Sequence, residues 1–319
     1  MRLEDWREWP ADRLAPLFDR QRQRWRQDLG WDATAMFALL EDARAGGQLP
    51  GLVASDDHGA VVGWCCASAQ DGTLFIGALH GDRADVVRAL LDGVLATPEA
   101  SCAKSYRCFL FPEGPAVSAA LVRRRFDVQQ YRYLSRLIAH AGPAMPPAGA
   151  RPWRLDDVPA TARLLAKAYV GTTGARCFAP GGRLDEWAAY LAQLSRTPAC
   201  GVWAPDESFA CPAAAADALD AVLIATRLAP DTSHVAQVVV DPRRQRGGLG
   251  SVLVEASARH AAAAGAVRQT LLVADANTAA RTLYARLGFA EQASFLFAER
   301  PRISRVAAAA GPAQTAGSL

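Results

Sequence analysis

Lysine is almost missing from this chain of 319 residues: Lys104 and Lys167 stand against a background of arginine, the bias a GC-rich genome produces. The net charge is only +3, too small to argue for nucleic acid as a partner. No apolar run approaches the roughly 20 residues a membrane-spanning helix needs. Met1-Arg2-Leu3-Glu4-Asp5-Trp6 lacks the apolar stretch of a secretory leader. The seven cysteines, at 65, 66, 102, 108, 177, 200 and 211, include no Cys-x-x-Cys pair and no neighbouring histidine at zinc spacing. Reduced, mostly buried thiols are therefore expected, and no metal site. With 51% hydrophobic residues, disorder is excluded as the dominant state. These absences leave a globular protein, expected to be cytoplasmic and to bind neither nucleic acid nor membrane. Nothing in them fixes an oligomeric state.

The length suggests two domains. Ala141-Gly142-Pro143-Ala144-Met145-Pro146-Pro147-Ala148-Gly149-Ala150 has the composition of a connector, and past Arg305 the chain is Ala/Gly-rich. The expected division is one domain over residues 1–142, a linker over 143–150, a second domain over 151–305 and a disordered tail over 306–319. In the second half, Ala221–Leu228, Val235–Val240, Thr270–Ala274 and Phe289–Phe297 read as strands. Gly250–Ala264 reads as a helix stopped by Gly265, and the helix after Asn277 has that residue as N-cap and Gly288 just past its end. In the first half, Gly51–Val53, Ala60–Cys66, Thr73–Ala78, Tyr106–Phe111 and Val128–Leu134 read as strands. Val86, Val87, Leu90, Leu91, Val94 and Leu95 recur at helical spacing, and Ala116–Arg124 is a second helix. One constant offset sets Phe126 against Phe289, Leu90 against Leu253, Phe109 against Leu272 and Leu134 against Phe297. The halves read as a duplicated fold. Alternating strands and helices place the chain in the α/β (α+β) class, two tandem domains each with a mixed central sheet flanked by helices.

The most informative stretch is Val238-Val239-Val240-Asp241-Pro242-Arg243-Arg244-Gln245-Arg246-Gly247-Gly248-Leu249-Gly250-Ser251: a strand, a glycine-rich turn and a helix start. Free N–H groups at a helix start, with the positive end of its dipole, suit a pyrophosphate. No lysine follows the glycines, so this is not a Walker A loop, and Leu253 stands where a dinucleotide fold needs its third glycine. The segment Gln245-Arg246-Gly247-Gly248-Leu249-Gly250 resembles the acyl-CoA-binding signature of the GNAT superfamily of N-acetyltransferases. Asn277-x-x-Ala280-x-x-Leu283-Tyr284-x-x-Leu287-Gly288-Phe289 resembles that family's second signature. The likeness is specific over about residues 235–297.

The resemblance implies acetyl-CoA as co-substrate and a set of roles. Val238, Val239 and Val240 would lie along the pantetheine arm, Val238 and Val240 pairing with it through main-chain groups. Gln245, Arg246, Gly247, Gly248, Leu249, Gly250 and Ser251 would hold the pyrophosphate. Asn277 would bond the pantetheine or the acyl group, and Tyr284 would protonate the departing thiolate. Residues 277 and 284 are two helical turns apart, so both can face one side. The implied reaction is direct attack of an amine on the thioester. Many relatives place a glutamate base on the strand before the loop or on the strand before the asparagine. Here those strands read His234-Val235-Ala236-Gln237 and Thr270-Leu271-Leu272-Val273, without a carboxylate. His234 and Asp275 are the nearest alternatives, each equally readable as a surface histidine and a turn aspartate. An amine of low pKa can do without a base.

At the same constant offset Gly247, Gly248 and Gly250 fall against Ala84, Asp85 and Val87, and Tyr284 against Leu121. The first half therefore reads as a degenerate copy. Arg20-Gln21-Arg22-Gln23-Arg24-Trp25-Arg26 reads as a solvated helix face. Gly171–Ala175 and Asp185-Glu186-Trp187 fall where relatives build acceptor pockets. The expected activity is acetylation of a small-molecule amine. The alternatives are a protein or peptide amino group as acceptor and, in another class, a non-catalytic acyl-CoA-binding regulatory module.

Overall fold

A computed structural model describes residues 1–139, 145–197, 200–215 and 217–302. The start of the expected linker and the whole expected tail, 306–319, lie outside the described residues. The first stretch of chain runs β1 (Arg2–Asp5), α1 (Ala11–Leu29), α2 (Thr34–Ala45), β2 (Gly51–Ser55), β3 (Val61–Gln70), β4 (Thr73–Gly81) and α3 (Ala84–Val94). Next come α4 (Pro98–Cys102), β5 (Ser105–Leu110), α5 (Pro115–Arg123), β6 (Asp127–Leu137), β7 (Arg151–Pro152), α6 (Val158–Ala168) and α7 (Leu184–Arg196). The remainder is β8 (Val202–Trp203), β9 (Phe209–Pro212), β10 (Leu219–Ala229), β11 (Thr232–Val240), α8 (Leu249–Ala263), β12 (Arg268–Ala274), α9 (Thr278–Arg286) and β13 (Ala290–Pro301).

Contacts divide the chain into two compact units. Unit 1 comprises Met1–Trp6, Pro50–Val128 and the chain from Ala298; unit 2 comprises Arg7–Leu49 and Gln129–Phe297. The second unit thus takes in α1, α2 and most of β6, which precede the connector in sequence. Tyr133 in β6 donates its hydroxyl to Leu29 O at 2.7 Å, and Arg26 in α1 grips Asp231 with both terminal nitrogens.

Unit 1 carries the strand order β1-β2-β3-β4-β5, antiparallel except for the parallel pair β4/β5. The helical spacing of Val86, Val87, Leu90, Leu91 and Val94 places all five side chains in the core. Gly63 lies so close beneath this helix that an added Cβ would meet Val86 and Leu90 within 3 Å. On the parallel side, β4 runs beside β5 from Thr73↔Ser105 to Ile76↔Cys108, and the register against β3 slips at Gly77, an extra residue in β4.

Unit 2 carries β6-β12-β11-β10-β9-β7, again with one parallel pair, β11/β12. The near-continuous apolar run of β10 is what a strand covered on both faces requires. One face packs against α6 and α7 through Trp153, Leu165, Trp187 and Leu191, the other against α8 through Leu253, Val254 and Ala256. At one end of the sheet Glu207 is buried, 3% exposed, in the 3-10 turn before β9. It accepts from Arg227 Nε of β10 and from Ser233 Oγ of β11, while Arg227 also donates to Ala261 O near the end of α8. Burial holds the Glu207 carboxyl above its ordinary range, and the arginine and serine pull it back.

A buried carboxylate stripped of its counter-charge is costly, whereas a neutral replacement of the pair is tolerated. Arg227→Met is therefore expected to lower unfolding stability by about 3–5 kcal/mol, and adding Glu207→Gln to recover most of the loss. Urea denaturation of the single and double variants measures both.

Candidate active site

The parallel pairing of β11 with β12 lasts only from Thr232↔Arg268 to Val235↔Leu271. The next residue, Ala236, is extra: the register against β10 passes from Ala225↔Val235 to Ile224↔Gln237. Such a bulge bends and twists its strand, and from this point β11 no longer pairs with β12. Beyond it, Asp241 donates its N–H to Asp220 O at 2.7 Å. Antiparallel partners alternate, so Val239 also turns its main chain to β10, and Val238 and Val240 turn theirs away, toward the opening. Gln237 Nε2 lies 3.4 Å from Val238 O and Gln245 Nε2 donates to Val240 O at 3.2 Å. The N–H groups of Val238 and Val240 have no partner in either neighbouring strand. Val239, expected beside them, instead puts its side chain into the α6–α7 core.

The strand leads into Asp241, whose side chain accepts from Arg243 N and from Lys167 Nζ, fixing the turn Pro242–Arg244 against α6. Helix α8 then starts from Gly248 at φ +82°, a left-handed conformation that glycine adopts without strain. An ideal Cβ there would meet nothing within 4 Å, so the space beside the loop is open. Gly248 has no side chain to cap the helix, and the N–H groups of Leu249, Gly250 and Ser251 lack intrahelical partners. Arg243 and Arg244 sit beside this end with solvent-exposed side chains. Gln245, Arg246 and Gly247 form the exposed approach to it. A helix start with free N–H groups and the positive end of its dipole is the geometry that favours an anion.

Asn277 is the N-cap of α9, its Oδ1 accepting from Ala280 N at 3.1 Å. One end of its amide thus has a structural role, and the residue is exposed. Tyr284, further along α9, is 7% exposed and packs edge-to-face on Phe289 at 5.8 Å. Its hydroxyl makes no hydrogen bond among the described residues. Burial and nearby Tyr169 push the phenol above its ordinary pKa, which keeps it protonated at neutral pH.

The α6–α7 face of the opening is lined by residues the sequence did not bring together. Two consecutive positions, Ala236 and Gln237, face this side because of the bulge. Gln237 Nε2 donates to Tyr169 Oη at 3.1 Å, and Tyr190 Oη lies 3.4 Å from both Gln237 Oε1 and Ala236 O. Tyr131 from β6 donates to Gly174 O at 2.9 Å and lies 3.1 Å from Cys177 Sγ. Trp187, fully buried, packs on Tyr169 at 5.3 Å, and Gly174 is tied to Tyr131. Tyr131 precedes these by more than a whole connector in sequence, and only a polar Gln in a valine-rich strand hinted at the cluster.

Neither alternative base survives inspection. His234 is not on the surface: it is 2% exposed, its Nδ1 pairs with Thr270 Oγ1 at 2.9 Å, and burial lowers its pKa to about 3. The cause is its place in the paired part of β11, opposite Thr270. Asp275 is held by Arg132 at 2.8 Å and Arg281 at 2.9 Å, which depress its carboxyl. No group of three or more His, Cys, Asp or Glu poised for a metal ion occurs among the described residues. No helix among them is long and apolar enough to cross a membrane. All seven cysteines are free, and Cys65, Cys66, Cys108 and Cys211 are buried.

The chain superposes on solved structures over most of its length. A GCN5-related N-acetyltransferase of Sphaerobacter thermophilus superposes with a TM-score of 0.64 over 94% of this chain and 95% of its own, at 13% identity. The fold is the GNAT fold. A tandem GNAT protein of the clavulanic acid biosynthesis pathway matches over 80% of this chain and 84% of its own, at 16% identity and a TM-score of 0.51. A GCN5-related glucosamine N-acetyltransferase region in a fungal multi-domain β-N-acetylglucosaminidase matches 94% of this chain and 38% of that one, at 13% identity and a TM-score of 0.55. The family model described as FR47-like protein matches residues 217–298, from the start of β10 to β13. No curated protein sequence matches the chain.

The two ends of the Asn277 amide are separable. Asn277→Ala is expected to lower stability by about 1 kcal/mol through loss of the cap. Asn277→Asp keeps an accepting oxygen and is expected to melt within a degree or two of the parent. Any change in ligand affinity in the aspartate variant then reports Nδ2 rather than folding.

Proposed function

We propose that the chain is an acetyl-CoA-dependent N-acetyltransferase whose acceptor is the amine of a small molecule. The observation that carries this reading is the opening between β11 and β12. The unpaired N–H groups of Val238 and Val240 lead along one strand to the uncapped start of α8, and Tyr284 stands at the same opening. A pantetheine arm fits such an edge as an added strand, and a pyrophosphate fits the N–H groups of Leu249, Gly250 and Ser251. The co-substrate supplies an activated acetyl thioester. Main-chain N–H groups of β11 then stabilise the oxyanion, and Tyr284 delivers its proton to the leaving sulfur. Asn277 Nδ2 contributes a further donor at the start of α9.

The tandem reading is supported by a shared register. In unit 1 the extra residue is Gly77, following Ile76↔Cys108 as Ala236 follows Val235↔Leu271, and Asp82 donates to Val62 O as Asp241 does to Asp220 O. The glycine loop itself has no equivalent. Gly81 ends β4 and Ala84 begins α3, whereas eight residues separate β11 from α8. Four residues fewer stand between Asp82 and Leu90 than between Asp241 and Leu253, so the turn before the helix is shorter in unit 1, and Ala84, Asp85 and Val87 stand where unit 2 has its glycines. We take unit 1 to be a copy that lost its anion loop, and acetyl-CoA to bind once per chain. The missing carboxylate base favours the non-catalytic acyl-CoA-binding module as a second reading.

Calorimetry is expected to find about one acetyl-CoA per chain, and none for Gly248→Asp, where a carboxylate and a strained φ replace the open loop. Tyr284→Phe separates enzyme from module. It keeps the ring packing, so acetyl-CoA affinity should hold while turnover falls by roughly 10–10³-fold, as water partly substitutes for the acid. Affinity and turnover falling together would make Tyr284 a packing residue.

A further inference from the structure

The polar cluster on the α6–α7 face of the opening consists of donors without a base. Val238 O can only accept, so the Gln237 atom 3.4 Å from it is the amide nitrogen, and the same nitrogen then faces Tyr169 Oη. Tyr169 is therefore an acceptor toward Gln237, and its own O–H has no acceptor among the described residues. Tyr190 is different: its hydroxyl is engaged with Ala236 O and Gln237 Oε1. Tyr169 and Tyr284 thus present two unengaged phenolic O–H groups around one opening.

Three charged side chains nearby are committed elsewhere. On α6, Lys167 is bound to Asp241; on β6, Arg132 is bound to Asp275 and Glu291; on α9, Arg281 is bound to Asp275. His234 of β11 is sealed against Thr270. Arg176 follows Gly174 on the loop that carries Cys177, and α7 contributes Tyr190. Burial raises the phenols of Tyr131, Tyr169, Tyr190 and Tyr284, Gln237 pulls Tyr169 back, and the other groups acting on them are one another, Cys177 and Cys200. An ammonium ion entering this niche finds no anion to pair with and no base to take its proton.

Resting on the acetyltransferase reading, we infer that the acceptor binds as a neutral amine of depressed pKa carrying a neighbouring oxygen, such as an α-amino amide, with Tyr169 donating to that oxygen. Gln237 is a positioning residue that sets the direction of the Tyr169 hydroxyl. The proton balance closes without a carboxylate. The amine nitrogen brings its lone pair to the acetyl carbon, the C–S bond breaks, and sulfur takes the Tyr284 proton. The surplus proton on nitrogen returns through water to the Tyr284 phenolate. An α-amine of pKa about 8 is roughly a tenth neutral at pH 7, an alkyl amine near 10.4 less than about a thousandth. The niche thereby selects acceptors without touching the rest of the molecule.

The test compares glycinamide with n-propylamine across pH 6–10, using the full chain with acetyl-CoA. The pH midpoint of kcat/KM is expected to follow the amine, lying about two units higher for propylamine, with glycinamide at least roughly 10²-fold better at pH 7. Tyr169→Phe should raise KM for glycinamide with little change in kcat, and leave propylamine and acetyl-CoA affinity alone. Gln237→Glu should add an ionisation common to both amines. One midpoint shared by both amines in the parent protein would mean a protein base and overturn the inference. Equal damage to both amines by Tyr169→Phe would overturn the oxygen contact. Binding of acetyl-CoA with neither amine acetylated at any pH would refute the acceptor class alone. No binding of acetyl-CoA would refute the acetyltransferase reading itself.

Discussion

One extra residue organises the site. Until Ala236, β11 is an ordinary member of a mixed sheet, paired on both sides; after it, the strand leaves β12 and keeps only β10. Everything described at the opening follows from that insertion. Main-chain groups of Val238 and Val240 that a continuous sheet would consume are left unpaired. Gln237 is rotated onto the same face as Ala236, where α6 and α7 supply its partners. The strand is also aimed so that its end meets the helix start at Gly248. A bulge is a local event with a small energetic cost, yet here it converts a sheet interior into a cleft.

Chemistry at that cleft is set by what burial does to polar side chains. Three classes of base are absent in different ways. The strand offers Gln237 and no carboxylate, and the Gln237 amide is already divided between Val238 O, Tyr169 and Tyr190. The histidine is present but neutral, stacked on Tyr133 within the paired sheet. The aspartate is ionised but clamped between two arginines. Burial disfavours the charged form of every phenol nearby, so the groups that remain are proton donors. A donor-rich, anion-poor cleft suits a leaving thiolate and disfavours a cationic acceptor, and both preferences stem from one low-dielectric wall.

Much of this was legible in the sequence, because glycine loops and helix caps are local. The turn at Gly247-Gly248, the cap at Asn277, and Tyr284 two turns onward are encoded within forty or so residues, and the GNAT fold follows from them and from strand patterning. What was not legible is non-local. The burial of His234 depends on its pairing partner Thr270, and the environment of Gln237 is assembled from α6, α7, β6 and β11. The membership of α1 and α2 in unit 2 depends on contacts such as Tyr133 to Leu29, invisible to periodicity. Loop length was also hidden. The pairs that share one offset, from Leu90 to Leu134, all follow the loop, so a comparison at constant offset cannot register a deletion that precedes them.

We read the two units as copies of one fold that differ in that deletion and in what their equivalent edges carry. The slip at Gly77 and the bond from Asp82 to Val62 O match those at Ala236 and Asp241, and both are backbone features that the sheet needs in order to fold. Side chains at the equivalent edge took another course. His80, three residues after the slip as Val239 is after Ala236, stacks on Trp64 at 5.0 Å, and Trp64 stacks on Trp6 at 5.7 Å. Trp6 is fully buried and Trp64 is 3% exposed, so aromatic packing consolidates that side of the sheet. The glycine loop contributes nothing to such a core, and its uncapped helix start is a liability unless an anion occupies it. Where no ligand satisfies those N–H groups, shortening the loop is stabilising. The long loop at Gly248, with its open space and unpartnered N–H groups, is therefore the part of unit 2 that a bound anion would stabilise.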